Sequence, residues 1–214
     1  MTQENAETAP LMDATVYTDG GCEPNPGTGG YGVVVVCGDR IRELSGGFQQ
    51  TTNNRMEIFA AIAGLEALPS PNRVTLVSDS RYLVDAMAQN WARRWRANGW
   101  WRTKKERAVN ADLWERLLVL CEYHDVTFKW VKGHAGHEQN ERCDELAMTA
   151  LKRPNLPADT GYAPRPEDAE RGTLFQKVHT PPTATDTETA PAKAPHVPLA
   201  PMPNTPVQME FALG

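Results

Sequence analysis

The sequence predicts an α/β fold built on a mixed five-stranded sheet, three strands antiparallel and then two parallel, flanked by helices. Two observations carry that expectation. Three strand-like runs follow one another between Thr15 and Phe48 with only short turns between them, which leaves no room for a crossover. From Thr52 onward the period changes, and segments with helical spacing alternate with two short valine-containing runs, the pattern of parallel strands.

The first strand is Thr15-Val-Tyr-Thr-Asp19, a β-branched and aromatic run that stops on a carboxylate and enters the Gly/Pro-rich stretch from Gly20 to Gly32. Tyr31 to Cys37 and Arg40 to Phe48 make a hairpin around Gly38-Asp39. Ile58, Ile62 and Leu65 then recur at helical spacing, with alanines in the gaps, until Pro69-Ser-Pro71 stops the helix. Arg73 to Ser78 is the fourth strand and runs into a second carboxylate, Asp79. A short helix from Ser80 to about Met87 leads to Trp91–Trp101, where basic and aromatic residues alternate. Asn110 to Glu122 reads as a helix with Leu113, Leu117, Leu118 and Cys121 on its apolar side. Val126 to Val131 is the fifth strand, and after the loop Lys132–His137 a last helix carries Cys143, Leu146, Ala147, Ala150 and Leu151 in one stripe.

These elements, and all six tryptophans, lie between about residues 12 and 162. Residues 1–11 read as a disordered, acidic lead and 163–214 as a disordered tail, since ten of the 17 prolines fall from Pro164 onward with few large aromatics among them. The lead lacks the basic and then apolar order of a signal peptide, no run approaches membrane-spanning length, and the four cysteines show neither zinc-site spacing nor disulfide density. A cytoplasmic monomer that does not enter membranes is the expectation.

The net charge of −5 argues against a general polyanion binder, but it conceals a reversal. Between Arg93 and Arg107 stand seven cationic residues, Arg94, Arg96, Arg102, Lys104 and Lys105 among them, against the single acid Glu106. Such a patch suits contact with phosphates.

Asp19 is the most informative residue. A carboxylate at a buried strand end is costly unless a cation or several donors meet it, and no cationic side chain stands at a matching position. Asp79 ends another strand, Glu57 lies near the start of the first long helix and Asp144 near the start of the last, so four acids from four elements can converge. Oxygen-only ligation suits magnesium or manganese, and two such ions serve phosphodiester cleavage. The competing reading is structural: Asn54 as helix cap with Glu57 reaching back to it, and Asp144 at the positive end of its helix. His134, in a glycine-flanked loop, fits a proton shuttle, whereas His137 reads as local structure.

In sequence, Thr18–Gly32, Thr51–Glu57, Ser78–Tyr82, Asn110–Trp114 and Trp130–Ala147 resemble ribonuclease H type 1, and the resemblance covers residues 12–162. It implies a ribonuclease H-like fold and cleavage of RNA paired to DNA, leaving 5′-phosphate and 3′-hydroxyl ends. It implies Asp19, Glu57, Asp79 and Asp144 as ligands of magnesium, with His134 assisting proton transfer or product release. Gly20, Cys22, Asn25, Thr52, Asn53 and Asn54 would lie along the two strands of the hybrid. The stretch holding Arg93, Arg94, Trp95, Arg96, Lys104 and Lys105 resembles the family's basic protrusion, which grips the DNA strand. Three residues depart from the commoner family pattern: Gly21, Arg81 and Val109. A silent hybrid-binding module and a DNA nuclease of the same fold are the alternatives. Outside the resemblance, Gln208–Leu213 looks like the glutamine-led peptides that replication proteins insert into the sliding clamp.

Overall fold

The structure, a computed structural model, describes residues 11–164. Nearly all of the acidic lead, nearly all of the proline-rich tail and the Gln208–Leu213 motif lie outside the described residues. The elements are β1 (Met12–Glu23), β2 (Gly27–Cys37), β3 (Arg40–Thr51), α1 (Asn53–Glu66), β4 (Asn72–Ser78), α2 (Arg81–Ala88), α3 (Trp91–Ala97), α4 (Ala111–Tyr123), β5 (Asp125–Trp130) and α5 (Glu138–Ala150). They form one five-stranded sheet in the order β3-β2-β1-β4-β5. The first three strands are antiparallel, and β4 and β5 add in parallel. The predicted α/β architecture is the observed one.

The opening strands are longer than the residue pattern indicates. Glycines at 20, 21, 29, 30 and 32 read as turn residues in the sequence, yet they lie within β1 and β2, paired from Asp19↔Gly32 to Cys22↔Gly29. The true turn is confined to Pro24-Asn25-Pro26. Asp19 is therefore inside β1 rather than at its end. What ends there is the parallel ladder with β4, whose last pair is Thr18↔Ser78, so Asp19 and Asp79 each follow its final rung.

Two of those glycines are needed for helix approach. A side-chain carbon at Gly20 would stand 2.4 Å from the backbone of Met56 and Glu57, and one at Gly32 would stand 2.0 Å from the Cys143 carbonyl oxygen. Neither backbone neighbour can move aside. Gly20 thus seats the first turns of α1 against β1, and Gly32 seats α5 against β2. The two helices take opposite faces, since the position beside Gly20, Gly21, looks instead toward Met148 of α5.

The main core lies on the α1 face. Val16, Val33, Leu76, Ile58, Ile62, Leu65, Trp114, Leu117 and Leu118 are all fully buried there. A buried leucine or isoleucine contributes about 1.5–3 kcal/mol relative to exposure, which is why this contiguous set holds α1 and α4 on the sheet. His124 joins the layers: its Nδ1 accepts from the Asn72 amide at 3.2 Å, and burial holds its pKa below the usual histidine range.

Candidate active site

Three of the four predicted acids meet. Asp19, Glu57 and Asp79 each offer a carboxylate oxygen, and those oxygens lie within 4.8 Å of one another. β1 and β4 bring the aspartates side by side, and the close seat at Gly20 brings Glu57 over the sheet edge from α1. Asp144 stands outside this trio, although its charge adds to the field on Asp19. It also sits in the middle of α5 rather than near its start, so attraction to the helix N-terminus does not explain it; Glu138 and Glu141 occupy that first turn. The α1 cap is likewise not Asn54. Thr52 caps the helix, its hydroxyl accepting from the Arg55 amide, which leaves Glu57 without a capping task.

The electrostatics show how the acids strain against one another. Burial, then the neighbouring Asp79 and finally Asp144 push the Asp19 carboxyl up to about 7, against the lowering effect of a 2.7 Å hydrogen bond from the Gly20 amide. Glu57 is raised well above the usual carboxylate range, first by burial and then by Asp19 and Asp79. Its Oε2 is buried without a hydrogen-bond partner. Like charges crowded in a poorly solvated place bind a proton or a cation. The donor set is all oxygen, and a hard divalent cation fits it.

Asp79 is held by neighbours that the residue pattern did not single out. Asn140 of α5, 3% exposed, donates from Nδ2 to Asp79 Oδ2 at 3.1 Å. The indole of Trp130 donates to the Asp79 carbonyl at 2.9 Å, and the Arg81 guanidinium lies 3.5 Å from the centre of that ring. Asn140 stands in step with the apolar stripe of α5, three residues before Cys143 and seven before Ala147, so a polar side chain on a buried helix face is a signal that the sequence does carry.

The other predicted site residues spread around this centre. His134 is exposed in the β5–α5 loop with φ 51°, and His137 occupies the N-cap position of α5. Gly20 is buried against α1, and Cys22 is partly buried, its thiol donating to the Pro24 carbonyl at 3.1 Å. Asn25 Oδ1 accepts from the Asn53 amide at 3.1 Å, tying the β1–β2 turn to the start of α1, where Thr52 and Asn54 are also part-exposed. Arg93, Arg94, Lys104 and Lys105 are exposed. Two members of the basic arm are engaged elsewhere: Trp95 packs edge-on against Trp114 at 6.0 Å, and Arg96 turns back to Glu122 and to Glu115 at 3.5 Å. Val109 is exposed.

A second charged group lies behind the acids. Arg55, 3% exposed, spans Asp112 of α4 (2.9 and 2.7 Å) and Asp159 in the segment after α5 (2.6 and 2.8 Å). Arg55 and Asp112 stand in the sequence blocks above and Asp159 near the end of the stretch that the resemblance covers, but only the fold reveals that they meet.

A family model for RNase H matches residues 12–152. The Ribonuclease H of Desulforamulus reducens is 60% identical over 149 residues, covering 70% of this chain and 94% of that protein. The Ribonuclease HI of Synechocystis sp. is 59% identical over 150 residues, covering 69% of this chain and 93% of that one. Among solved structures, LC9-RNase H1, a type 1 RNase H with the type 2 active-site motif, superposes with a TM-score of 0.60 at 33% identity over 66% of this chain and 73% of that chain. LC11-RNase H1, solved in complex with an RNA/DNA hybrid, gives a TM-score of 0.51 at 26% identity, covering 64% of this chain and 96% of that one.

Proposed function

The chain belongs to the ribonuclease H family of hydrolases, and from that premise we propose that it is an endonuclease cutting the RNA strand of RNA/DNA hybrids, leaving 5′-phosphate and 3′-hydroxyl ends. The observation that carries the reading is the meeting of Asp19, Glu57 and Asp79 with their oxygens within 4.8 Å, one of them buried without a partner. Those three residues, joined by Asp144, would hold magnesium, with manganese as the alternative. The chemistry supplied by two ions held there would be polarisation of a water and stabilisation of the leaving oxygen. Asn140 fixes the direction of Asp79 by donating to Oδ2, and Trp130 holds its backbone. His134, exposed on its loop, would hand a proton to the departing 3′ oxygen or ease product release.

The substrate reading rests on the family and on the hybrid bound by LC11-RNase H1. Gly20, Cys22, Asn25, Thr52, Asn53 and Asn54 would lie along the two strands of the hybrid, and the exposed Arg93, Arg94, Lys104 and Lys105 would offer charge to its phosphate backbone. Recognition through duplex shape and 2′-hydroxyls makes sequence preference weak. Among the described residues no helix is long and apolar enough to cross a membrane, and we place the enzyme in the cytoplasm as a monomer. A sliding clamp as partner for Gln208–Leu213 is tested by a pull-down with and without the last seven residues, equal retention ending the idea.

The test is strand-labelled RNA/DNA, RNA/RNA and DNA/DNA duplexes incubated with Mg2+ or with chelator. Cutting of the RNA in the hybrid alone, and only with metal, is expected. Binding without cutting marks a silent hybrid reader, and cutting of DNA/DNA marks a DNA nuclease; either result overturns the proposal.

A further inference from the structure

The segment that follows α5 passes beyond the residues matched by the family model, which end at 152, yet it returns to the edge of the candidate site. Asp159 is its anchor. The carboxylate, 7% exposed, takes two bonds from the Arg55 guanidinium and a third from the Thr51 hydroxyl at 2.7 Å. One residue pair away, the Gln49 amide donates to the Pro157 carbonyl at 3.0 Å, extending β3 by one contact. Leu156 is buried beneath this crossing. Gly161 lies so close that a side-chain carbon there would stand 2.0 Å from Asp112 Oδ2 and 2.6 Å from the Arg55 guanidinium.

Thr51 and Arg55 bracket Thr52, Asn53 and Asn54. Thr51 is fully buried, its carbonyl also accepting from the Cys22 thiol at 3.5 Å, and Thr52 is the α1 cap. Asn53 in turn fastens the β1–β2 turn through Asn25. The short strip of chain that carries these polar groups is therefore clamped at both ends by a single carboxylate contributed from 104 residues beyond Arg55 and 108 beyond Thr51.

We propose that Asp159 is a positioning residue for substrate: the 153–162 segment holds Thr52–Asn54 and the Asn25 turn in the geometry that accepts a nucleic-acid backbone, without touching the substrate or the carboxylate trio. The inference rests on the hybrid-cleaving reading of the site. Glu57 is fixed separately by the seat at Gly20 and by burial, so chemistry on bound substrate should be insulated from the brace.

Asp159→Asn keeps shape and removes the charge; Thr51→Val keeps the charge and removes only the hydroxyl bond. In steady-state cleavage of a hybrid with Mg2+, Asp159→Asn should raise KM by roughly tenfold and Thr51→Val by roughly threefold, with kcat within about twofold of wild type, the cost of misplacing binding groups while sparing the reacting centre. The stabilisation given by Mg2+ in a thermal melt should be unchanged in both. A proportional loss of kcat with unchanged KM would mean only that less protein is folded, and unchanged KM with unchanged kcat would mean that the brace is idle; either overturns the inference. Should Asp159→Asn be unfolded at the assay temperature, the KM of Thr51→Val decides. A wild-type protein that cuts no hybrid would instead sink the functional reading beneath it, so the two failures are distinct.

Discussion

Replacing Asp19 by asparagine should make the metal-free protein more stable. The folded carboxyl titrates at about 7 against an ordinary value of 3.8, because burial and the Asp79 and Asp144 charges oppose its ionisation. A raised folded pKa means that the native state holds the proton more tightly than the unfolded chain does. Its contribution is full below 3.8, falls as the pH rises and is gone above about 7. About three pKa units at 1.36 kcal/mol each set the cost of the ionised side chain at about 4 kcal/mol at pH 8. The amide keeps the shape and abolishes that cost, less what its own NH2 loses by burial, so a net gain of about 2–3 kcal/mol is expected. For a domain of this size the gain corresponds to roughly 5–10 °C in Tm. The assay is a thermal melt in chelator at pH 8 and again at pH 5, where the ionisation cost falls below about 2 kcal/mol, the amide's own burial cost offsets most of it, and the gap should nearly close. Adding Mg2+ should stabilise the wild type and leave the variant nearly unmoved. A variant no more stable than wild type at pH 8, or a gap that widens as the pH falls, would refute the reasoning.

Three further outcomes follow from the described geometry. Arg55→Ala strands the buried Asp159 carboxylate, and denaturant unfolding should show a loss of about 3–5 kcal/mol; a loss under 1 kcal/mol would show that the segment after α5 is not held there. His124 is neutral in the fold and its folded pKa lies below the unfolded value of 6.5, so its contribution is present above 6.5 and lost as the pH falls through the depressed value. An imidazole NMR titration with a midpoint at or above 6.5 would contradict this. Lys104→Ala with Lys105→Ala should weaken hybrid binding evenly across sequences and reduce the slope of log affinity against log salt by up to about two, and an unchanged slope would remove both lysines from the phosphate contacts.

The strand and helix sequence was legible because its period changes sharply at Thr52 and because prolines and glycines mark most boundaries. The reach of β1 and β2 was not. In a sequence, Gly20, Gly29 and Gly32 point to turns, and only contact with α1 and α5 explains why a pleated strand omits side chains there. The acids were legible as a set, since carboxylates at strand ends are unusual. Their ranking was not, because whether Asp144 joins the trio depends on the rotation of α5 above Gly32. The basic arm gave itself away by charge count, yet composition cannot tell Arg93, which faces solvent, from Arg96, which is consumed by Glu122 and Glu115 on α4. What Asn140 and Asp159 do was hidden for the same reason: each acts through a partner more than 60 residues away, on an element whose placement no local pattern encodes.

The claim beneath all of this is that Asp19, Glu57 and Asp79 form one cation site rather than three neighbouring acids. Calorimetric titration of Mg2+ into the wild type and into Asp19→Asn, Glu57→Gln and Asp79→Asn measures it directly. A shared site predicts that the wild type binds and that each single change weakens binding at least about tenfold, the loss of about 1.4 kcal/mol or more expected for one charged ligand. Binding that survives unaltered in any two of the three variants would contradict it.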